Sequence, residues 1–347
     1  MEPEVPMDLG HPRVLLDQRA APAAVRSTWL REMAAQDWVV LTFLSLMTLI
    51  AASAPASEAQ RQALARFGTN LALLMVVLGL VRGAVLRDGV VAPLLYRLAI
   101  YGSVQLSYFF LGGLLPLVNT STLDHELHAL DLALFGVEPA IWMDRWVTAV
   151  TTEWFAFFYF GYFFLLAIHV VPILLFARHR RVLGEFALGL ILLFCVGHLT
   201  YMLVPGFGPY HAVPGAFEHA FPAGLWHDIV MQAVRSGGSM MDIFPSLHTA
   251  APTFLLLFSF RHRDKLPFRW SWPVVAFCAV NIILATMFLR WHWVIDVLAG
   301  LLLAYGALVV SVRFTHAELS RRSRDGLAPS WPEWRLRRRP RAPAGTG

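Results

Sequence analysis

Long apolar segments constrain this chain more than any other feature of its sequence. Eight such segments recur along the 347 residues, and most have the roughly 17–25 residues that an α-helix needs to cross a bilayer. The predicted spans are residues 37–54, 68–86, 94–118, 153–177, 184–204, 247–260, 271–289 and 293–313. The segment 247–260 is short for a span, so we expect it to begin inside a protein-lined or wet cavity. The pattern predicts an all-α polytopic membrane protein with about eight transmembrane helices.

Composition indicates lipid, rather than one soluble core, as the environment of these segments. The chain is 57% hydrophobic and 15% charged, with a mean hydropathy of +0.57, which is outside the range of an ordinary soluble domain. Cys195 and Cys278 lie inside apolar runs and lack the neighbours of a disulfide or zinc framework. The net charge of +5 comes from short basic clusters between the apolar segments. We interpret these clusters as a topology signal and expect no nucleic-acid partner.

The basic residues are distributed unequally between alternate loops. Of the 28 lysines and arginines, 23 fall on one side of the predicted membrane and 5 on the other, which under the positive-inside rule places both termini in the cytoplasm. The 206–246 loop, His248 and the 290–292 junction then share the extracytoplasmic face. The bias of arginine over lysine suggests a GC-rich bacterium, so we expect an inner-membrane protein with its site facing the periplasm.

We divide the chain into four parts. Residues 1–36 are a predicted cytoplasmic tail, because they lack the apolar core of a signal peptide. Residues 37–93 supply two additional transmembrane helices, and residues 94–314 form a six-helix catalytic core. Residues 315–347 are a basic cytoplasmic tail, which we expect to be disordered and to lie on anionic lipid.

Histidines, an arginine and a carboxylate stand at the ends of apolar segments, which suggests phosphoryl transfer at a membrane surface. His292 and Asp296 are four residues apart, so on a helix their side chains lie on one face, one turn apart. A carboxylate bonded to one ring nitrogen fixes the tautomer and raises the basicity of the other nitrogen. The pair is a candidate nucleophile with its orienting group. Arg290 is a candidate clamp for two phosphate oxygens, or else a snorkelling arginine beside interfacial tryptophans.

A second helix start carries another histidine. Pro245 ends a loop and Ser246 is a predicted N-cap, so the backbone N–H groups of Leu247 and His248 are candidates for binding an anion. His248 would then act as general acid toward a leaving oxygen and as base in the return step. A lone histidine at a helix start is more often a capping residue, but a second histidine on the same face favours catalysis.

Two other segments supply weaker candidates. Residues 205–211 contain Gly208 and His211 in an irregular backbone that can approach a ligand closely, although alone it is typical of a plain turn. We take both residues, and Arg235, as further candidates for phosphate binding. Residues 124–131 contain two histidines three apart, as a metal site would, but we expect an amphipathic helix on the outer interface. Its predicted apolar stripe is Leu123, Leu127, Leu130 and Leu134.

Three motifs carry a family resemblance. Residues 244–250 read Phe-Pro-Ser-Leu-His-Thr-Ala, residues 289–296 read Leu-Arg-Trp-His-Trp-Val-Ile-Asp, and residues 201–209 supply a third, degenerate motif. Together they resemble the type 2 phosphatidic acid phosphatase superfamily, specifically its inositol phosphorylceramide synthase-like branch. The resemblance covers roughly residues 94–313.

The resemblance implies a mechanism. His292 attacks phosphorus with the support of Asp296, and His248 protonates the departing alcohol. The phosphohistidine intermediate then passes its phosphoryl group to water in a phosphatase, or to a second alcohol in a transferase. No metal motif emerges and histidine chemistry of this kind needs none, so we expect no metal and no cofactor.

Departures from the phosphatase pattern bear on the substrate. The lipid phosphatases carry a lysine and an arginine in the first motif and an arginine six residues before the histidine. Here Lys265, the only lysine, is predicted on the cytoplasmic side, Thr286 replaces that arginine, and Leu247 replaces a glycine. A monoester dianion needs more cationic compensation than a diester monoanion. We therefore expect a phosphodiester donor, unless Arg235, Arg145 or His211 supplies the missing charge.

Three functions remain in order of preference. The first is a phosphotransferase that moves a phospho-headgroup, such as phosphoinositol, from a phospholipid donor to a lipid alcohol acceptor such as ceramide. The second is a lipid or polyprenyl phosphate phosphatase. The third is a non-catalytic transporter or scaffold, in which alanine at His248, His292 or Asp296 would be tolerated.

Overall fold

The computed structural model describes residues 29–86, 89–177, 179–237 and 240–334. Within those residues the chain forms α-helices and short 3-10 turns, with one isolated β-bridge and no strands. The α-helices are α1 Ala35–Ser53, α2 Glu58–Arg82, α3 Val91–Val118, α4 Asp124–Phe135, α5 Pro139–Met143, α6 Ala149–Phe176, α7 Arg180–Leu203, α8 Pro209–Ala212, α9 Leu225–Ser236, α10 Leu247–Arg261, α11 Phe268–Phe288 and α12 Val294–Asp325.

The all-α polytopic fold class is confirmed. Each predicted span falls on a helix, and seven helices of the described chain are long and apolar enough to cross a membrane: α1, α2, α3, α6, α7, α11 and α12. The remaining predicted span, residues 247–260, is α10. It has only 15 residues, fewer than a helix needs to cross the roughly 30 Å hydrocarbon core. Many large apolar side chains of the outer helices are exposed, as in Phe109, Phe164 and Leu302, which lipid accounts for.

Helices α7 and α10 form the centre of the bundle. The apolar window of α7 is 83% buried, whereas the corresponding windows of the other candidate spans are 22–44% buried. α10 packs against α6, α7, α11 and α12, and α7 also packs against α1 and α3. The two predicted additional helices, α1 and α2, therefore pack against the core rather than standing apart from it.

A close crossing brings the starts of α10 and α12 together. A Cβ atom on Gly300 of α12 would lie 2.6 Å from the carbonyl oxygen of Ser246 and 3.1 Å from Cβ of Thr249. Small residues let the backbones of membrane helices approach in this way. The helix starts that carry the two histidine motifs are therefore neighbours.

A buried ion pair joins α1, α2 and α3 at the opposite end of the bundle. Nε of Arg82 donates to Asp37 at 2.7 Å, and Nη2 donates to the hydroxyl of Tyr96 at 2.6 Å and to the Ser330 carbonyl at 2.8 Å. Gln36 donates to the same hydroxyl and the same carbonyl. The segment that follows α12 is thus part of this polar network.

The prediction of a disordered C-terminal tail is wrong for its described part. Helix α12 continues to Asp325, the side chain of Trp331 is 4% exposed, and Arg97 donates to the Pro332 carbonyl at 2.9 Å. Arginine and proline content misled the prediction because the partners of these groups lie far away in the sequence. Residues 335–347, and residues 1–28 of the predicted N-terminal tail, lie outside the described residues.

The basic clusters and the histidine motifs lie at opposite ends of the bundle. Arg181 and Arg261 both pair with Glu185, at the end of α10 far from His248. That separation agrees with the topology expected from the charge distribution. Which end faces the cytoplasm stays a prediction from the positive-inside rule.

Asp37→Ala should destabilise the protein strongly. It leaves the guanidinium of Arg82 buried without its carboxylate, and breaking a buried pair in this way costs about 3–5 kcal/mol. The measurement is thermal unfolding in detergent. Glu58→Ala is the matched control, because it removes the carboxylate of an exposed pair with Arg61 and should cost at most about 1 kcal/mol. Equal shifts for the two variants would contradict the prediction.

Candidate active site

A cavity opens beside the starts of α10 and α12, between α3, α6, α7 and α9. Three predicted site residues line it, namely Leu247, His248 and His292. Most of the other residues that line the cavity are apolar or aromatic. Among the residues that the structure describes, no lysine or arginine lines it. The remaining polar side chains of the lining are Gln105, Tyr108, Tyr159, Tyr162, His198, Tyr201 and Asp242.

Asp296 orients His292, as the four-residue spacing predicts. Oδ2 of Asp296 lies 3.3 Å from Nδ1 of His292 and accepts the backbone N–H of Trp293 at 3.0 Å. With Nδ1 facing the carboxylate, Nε2 is the candidate nucleophilic nitrogen. Burial lowers the pKa of His292 to about 4, although the charge of Asp242 and a hydrogen bond with the backbone of Ile243 oppose the shift. The imidazole is therefore neutral at neutral pH, as a nucleophile must be.

Backbone hydrogen bonds fix the loop that carries His292. The carbonyl of Thr286 accepts the N–H groups of Trp291 at 3.0 Å and of His292 at 3.2 Å. The N–H of Ser246 donates to the Asp296 carbonyl at 3.0 Å. This last bond joins the two histidine motifs directly, so the positions of the two imidazoles depend on each other.

His248 lies between aromatic rings at the first turn of α10. Its ring stacks on Tyr159 with a centroid distance of 4.3 Å and an interplanar angle of 7°, and the Tyr162 centroid is 4.2 Å away. Nε2 of His248 is buried and has no hydrogen-bond partner within the described chain. Ser246 is the N-cap, as predicted, and its hydroxyl accepts the N–H of Thr249 at 3.2 Å. Ser246 itself is fully buried outside the cavity lining.

Arg290 is close to this site in the sequence but has other partners. Its Nη2 donates to Asp144 at 2.6 Å and to the His219 carbonyl. Its Cζ lies 4.0 Å from the ring centroid of Phe217 and 4.2 Å from that of Phe221. Arg290 does not appear in the cavity lining, so it does not face this cavity, and its role as a phosphate clamp stays a prediction. Its observed contacts anchor the loop between α11 and α12.

The carboxylate of Asp144 is well suited to hold Arg290 in this position. Burial alone would raise the pKa of Asp144. Hydrogen bonds from the ring of His219 and from the backbone N–H groups of Glu218 and His219, together with the charge of Arg290, outweigh burial and lower that pKa. The charge of Arg290 is thus already balanced within the protein.

Gly208 supports the site without entering it. Its φ is +79°, and a Cβ atom there would lie 2.2 Å from the Trp291 carbonyl oxygen. Its N–H donates to Asp124 at 2.9 Å, so this group is not free for a phosphate. His211 and Arg235, the other secondary candidates, are exposed and are absent from the cavity lining.

Two carboxylates of α4 hold the backbone around the site, and sequence reasoning missed both. Asp124 accepts the N–H of Phe207 at 2.9 Å and Nε1 of Trp293 at 3.1 Å. Asp131 accepts the N–H groups of Val294 and Ile295, the first two residues of α12, at 2.7 and 2.9 Å. The negative charge of Asp131 also suits the helix N-terminus.

The amphipathic helix predicted from residues 124–131 is present as α4, and its position on the outer interface stays a prediction. Leu127 is buried, whereas Leu130 and Leu134 are 48% and 57% exposed. Asp124 and Asp131 face the protein, where they accept backbone N–H groups. His125 is exposed and His128 stacks on the Trp293 ring, so the two histidines do not converge as a metal site would require.

Asp242 is the acidic side chain of the cavity that sequence analysis overlooked. Tyr108 forms a hydrogen bond with it, and the charge of Asp242 acts on the ring of His292. Burial raises the pKa of Asp242, partly offset by hydrogen bonds and by His292. A signal was present in the sequence, since one carboxylate stands between apolar Met241 and Ile243, directly before the second motif.

Comparison with known proteins identified one family. The model described as the PAP2 superfamily, the type 2 phosphatidic acid phosphatases, matches residues 125–310, more than half of the 347-residue chain. The matched range includes both histidine motifs, Asp242 and all of α4 except its first residue, Asp124. No curated protein and no solved structure matches the chain.

Gly208→Ala should displace the loop that carries His292. A methyl group cannot share space with the Trp291 carbonyl, and a shift of about 1 Å at a reacting group costs roughly 10²-fold in rate. The measurement is phospholipid turnover by purified protein in detergent, with gel filtration to show that the variant folds. Gly215→Ala is the control, because nothing lies within 4 Å of a Cβ there. Unchanged turnover in a folded Gly208→Ala variant would refute this role.

Proposed function

Because this chain belongs to the PAP2 superfamily, whose membership supports a phosphatase or phosphotransferase activity, we propose that it is a membrane phosphotransferase. It moves a phospho-headgroup from a phospholipid diester to a lipid alcohol such as ceramide, and diacylglycerol is released. The observation that carries this proposal is one cavity lined by both His248 and His292, with no lysine or arginine in its described lining.

The first half of the reaction forms a phosphohistidine. Nε2 of neutral His292 attacks phosphorus while Asp296 holds Nδ1 and stabilises the positive charge that develops on the ring. The bond between phosphorus and the glycerol oxygen breaks. The negative charge of the bound phosphate favours the protonated form of His248, which gives its proton to that oxygen, so diacylglycerol leaves as a neutral alcohol.

The second half passes the headgroup to the acceptor. His248, now neutral, takes the proton of the acceptor hydroxyl, and the oxygen attacks phosphorus. The bond between phosphorus and Nε2 of His292 breaks, which restores the starting protonation states of both histidines. Water in place of the alcohol would give a hydrolysis product and make the same site a phosphatase.

The charges around the cavity favour a diester over a monoester. A phosphate monoester brings two negative charges and a diester brings one, and the stabilisation of phosphate by cationic groups is largely electrostatic. Arg290, the nearest predicted cation, is paired with Asp144. The exposed Arg235 and His211 do not reach the cavity lining. Because few cationic groups lie near the cavity, lipid and polyprenyl phosphate monoesters should be poorer substrates than diesters. A phosphatase is therefore our second candidate function.

A product assay with His292→Ala tests the transferase. Purified protein receives phosphatidylinositol, which is the donor that the branch resemblance implies, and separately phosphatidylcholine and phosphatidylethanolamine, each with ceramide. Phosphatidic acid without an acceptor is the phosphatase arm. We expect diacylglycerol and a headgroup-bearing ceramide in at least one diester arm, and loss of both products in His292→Ala because the nucleophile is missing.

The same products are measured for a control variant, and they also show which results would contradict the proposal. His125→Ala removes an exposed histidine at the same end of the molecule and should keep full activity. Release of inorganic phosphate from phosphatidic acid, without any new ceramide lipid, would mean that the protein is a phosphatase and not a transferase. Products that persist in His292→Ala would remove His292 from the mechanism.

A further inference from the structure

We propose that the cavity selects phospholipids whose headgroup carries an ammonium group, as in choline and ethanolamine phospholipids, and that Asp242 binds this group. The proposal rests on the proposed function, since it names the headgroup that the transferase takes. It differs from the phosphoinositol headgroup that the branch resemblance implies. Three features of the cavity support it.

The first feature is the place of Asp242. Its side chain lines the cavity together with His292, lies within electrostatic range of that imidazole and forms a hydrogen bond with Tyr108. The backbone here is fixed, because the Met241 carbonyl accepts the N–H of Gly206 at 3.3 Å. Asp242 therefore belongs to the same cavity as His292, and its charge acts on the imidazole that attacks phosphorus.

The second feature is the charge balance around the reaction centre. Asp296 interacts electrostatically with Asp124 and Asp131, and Asp242 adds a fourth carboxyl group at the cavity itself, where burial raises its pKa because no lysine or arginine of the described lining offsets it. Arg290, the neighbouring cation, is neutralised by Asp144. A diester with an uncharged headgroup such as inositol adds a further net negative charge here. A zwitterionic headgroup adds none, and its ammonium group supplies the counter-charge that Asp242 lacks.

The third feature is the aromatic wall of the cavity. Tyr108, Tyr159, Tyr162, Tyr201 and Trp291 all belong to the lining, and the faces of such rings attract ammonium groups, including quaternary ones, by cation–π interaction. A carboxylate set among aromatic rings is the combination that binds an organic cation. Lysine and arginine, which would repel that cation, do not occur in the described lining.

The chemistry of the headgroup matches these positions. In choline and ethanolamine phospholipids only two carbon atoms separate the phosphate oxygen from the nitrogen. A phosphate in reach of His292 therefore carries its ammonium group to the part of the cavity that Asp242 and the tyrosines occupy. Choline and ethanolamine share this chemistry and differ only in the methyl groups on nitrogen.

Binding tests the headgroup separately from catalysis. His292→Ala protein, which cannot form the intermediate, is titrated in a calorimeter with dihexanoyl phosphatidylcholine, phosphatidylethanolamine, phosphatidylinositol and phosphatidylglycerol. We expect the ammonium lipids to bind roughly tenfold more tightly, the size of one partly desolvated cation–π or charge contact. The ratio between choline and ethanolamine lipids identifies which of the two is preferred. Equal affinity for all four, or tighter binding of phosphatidylinositol, overturns the proposal.

Asp242→Asn, made in the same background, tests the residue. It should lower affinity for the two ammonium lipids by roughly tenfold and leave phosphatidylinositol and phosphatidylglycerol binding unchanged or tighter, because a like charge is removed. Asp242→Glu keeps the charge and should keep the preference. An equal loss for all four lipids would mean a purely structural role and overturn the assignment of Asp242.

Matched controls and the turnover assay separate the two proposals. Asp228→Asn removes an exposed carboxylate of α9 and should leave the preference intact, and thermal unfolding shows whether each variant is folded. Transfer from phosphatidylinositol in preference to the ammonium lipids would refute the proposed headgroup preference but support the transferase activity. Selective binding of ammonium lipids by a protein that transfers no headgroup would refute the transferase activity but support the proposed headgroup preference.

Discussion

Asp296 is the residue on which the arrangement of the site depends. Its side chain faces Nδ1 of His292 and caps the N–H of Trp293, and its carbonyl accepts the N–H of Ser246. One residue therefore sets the orientation of the imidazole, the start of α12 and the distance between the two histidine motifs. The close crossing at Gly300 is needed for the same contact, since a larger residue would separate α10 from α12.

The carboxylates around this centre show how a polar site is kept inside a largely apolar bundle. Buried N–H groups at a helix start must find acceptors, and α4 supplies them through Asp131 for α12 and Asp124 for the loop at Gly208. This arrangement makes the surroundings of His292 acidic. Arg290 relieves none of that charge in the cavity because it is paired with Asp144, and the ammonium headgroup that we propose would supply a positive charge there.

At the opposite end of the bundle, buried arginines donate hydrogen bonds to backbone carbonyl groups. Arg82 and Arg97 are buried near the C-terminal segment, where carbonyl groups of Ser330 and Pro332 accept their hydrogen bonds. Sequence composition describes that segment as a basic tail. Its fixed position depends on contacts with α1, α2 and α3, which are more than two hundred residues away in the sequence.

The sequence by itself determined the features that depend on local pattern. Apolar length predicted the helices, the four-residue spacing predicted the pairing of His292 with Asp296, and the serine before Leu247 predicted the N-cap of α10. It could not determine which polar groups meet across the fold. Arg290 pairs with Asp144, and Asp124 and Asp131 of α4 turn inward, because their partners are charges and backbone N–H groups of distant segments. The role of Asp242 could not be predicted for the same reason, since only the packing of α3, α6, α7 and α9 beside the starts of α10 and α12 makes this isolated carboxylate part of the cavity.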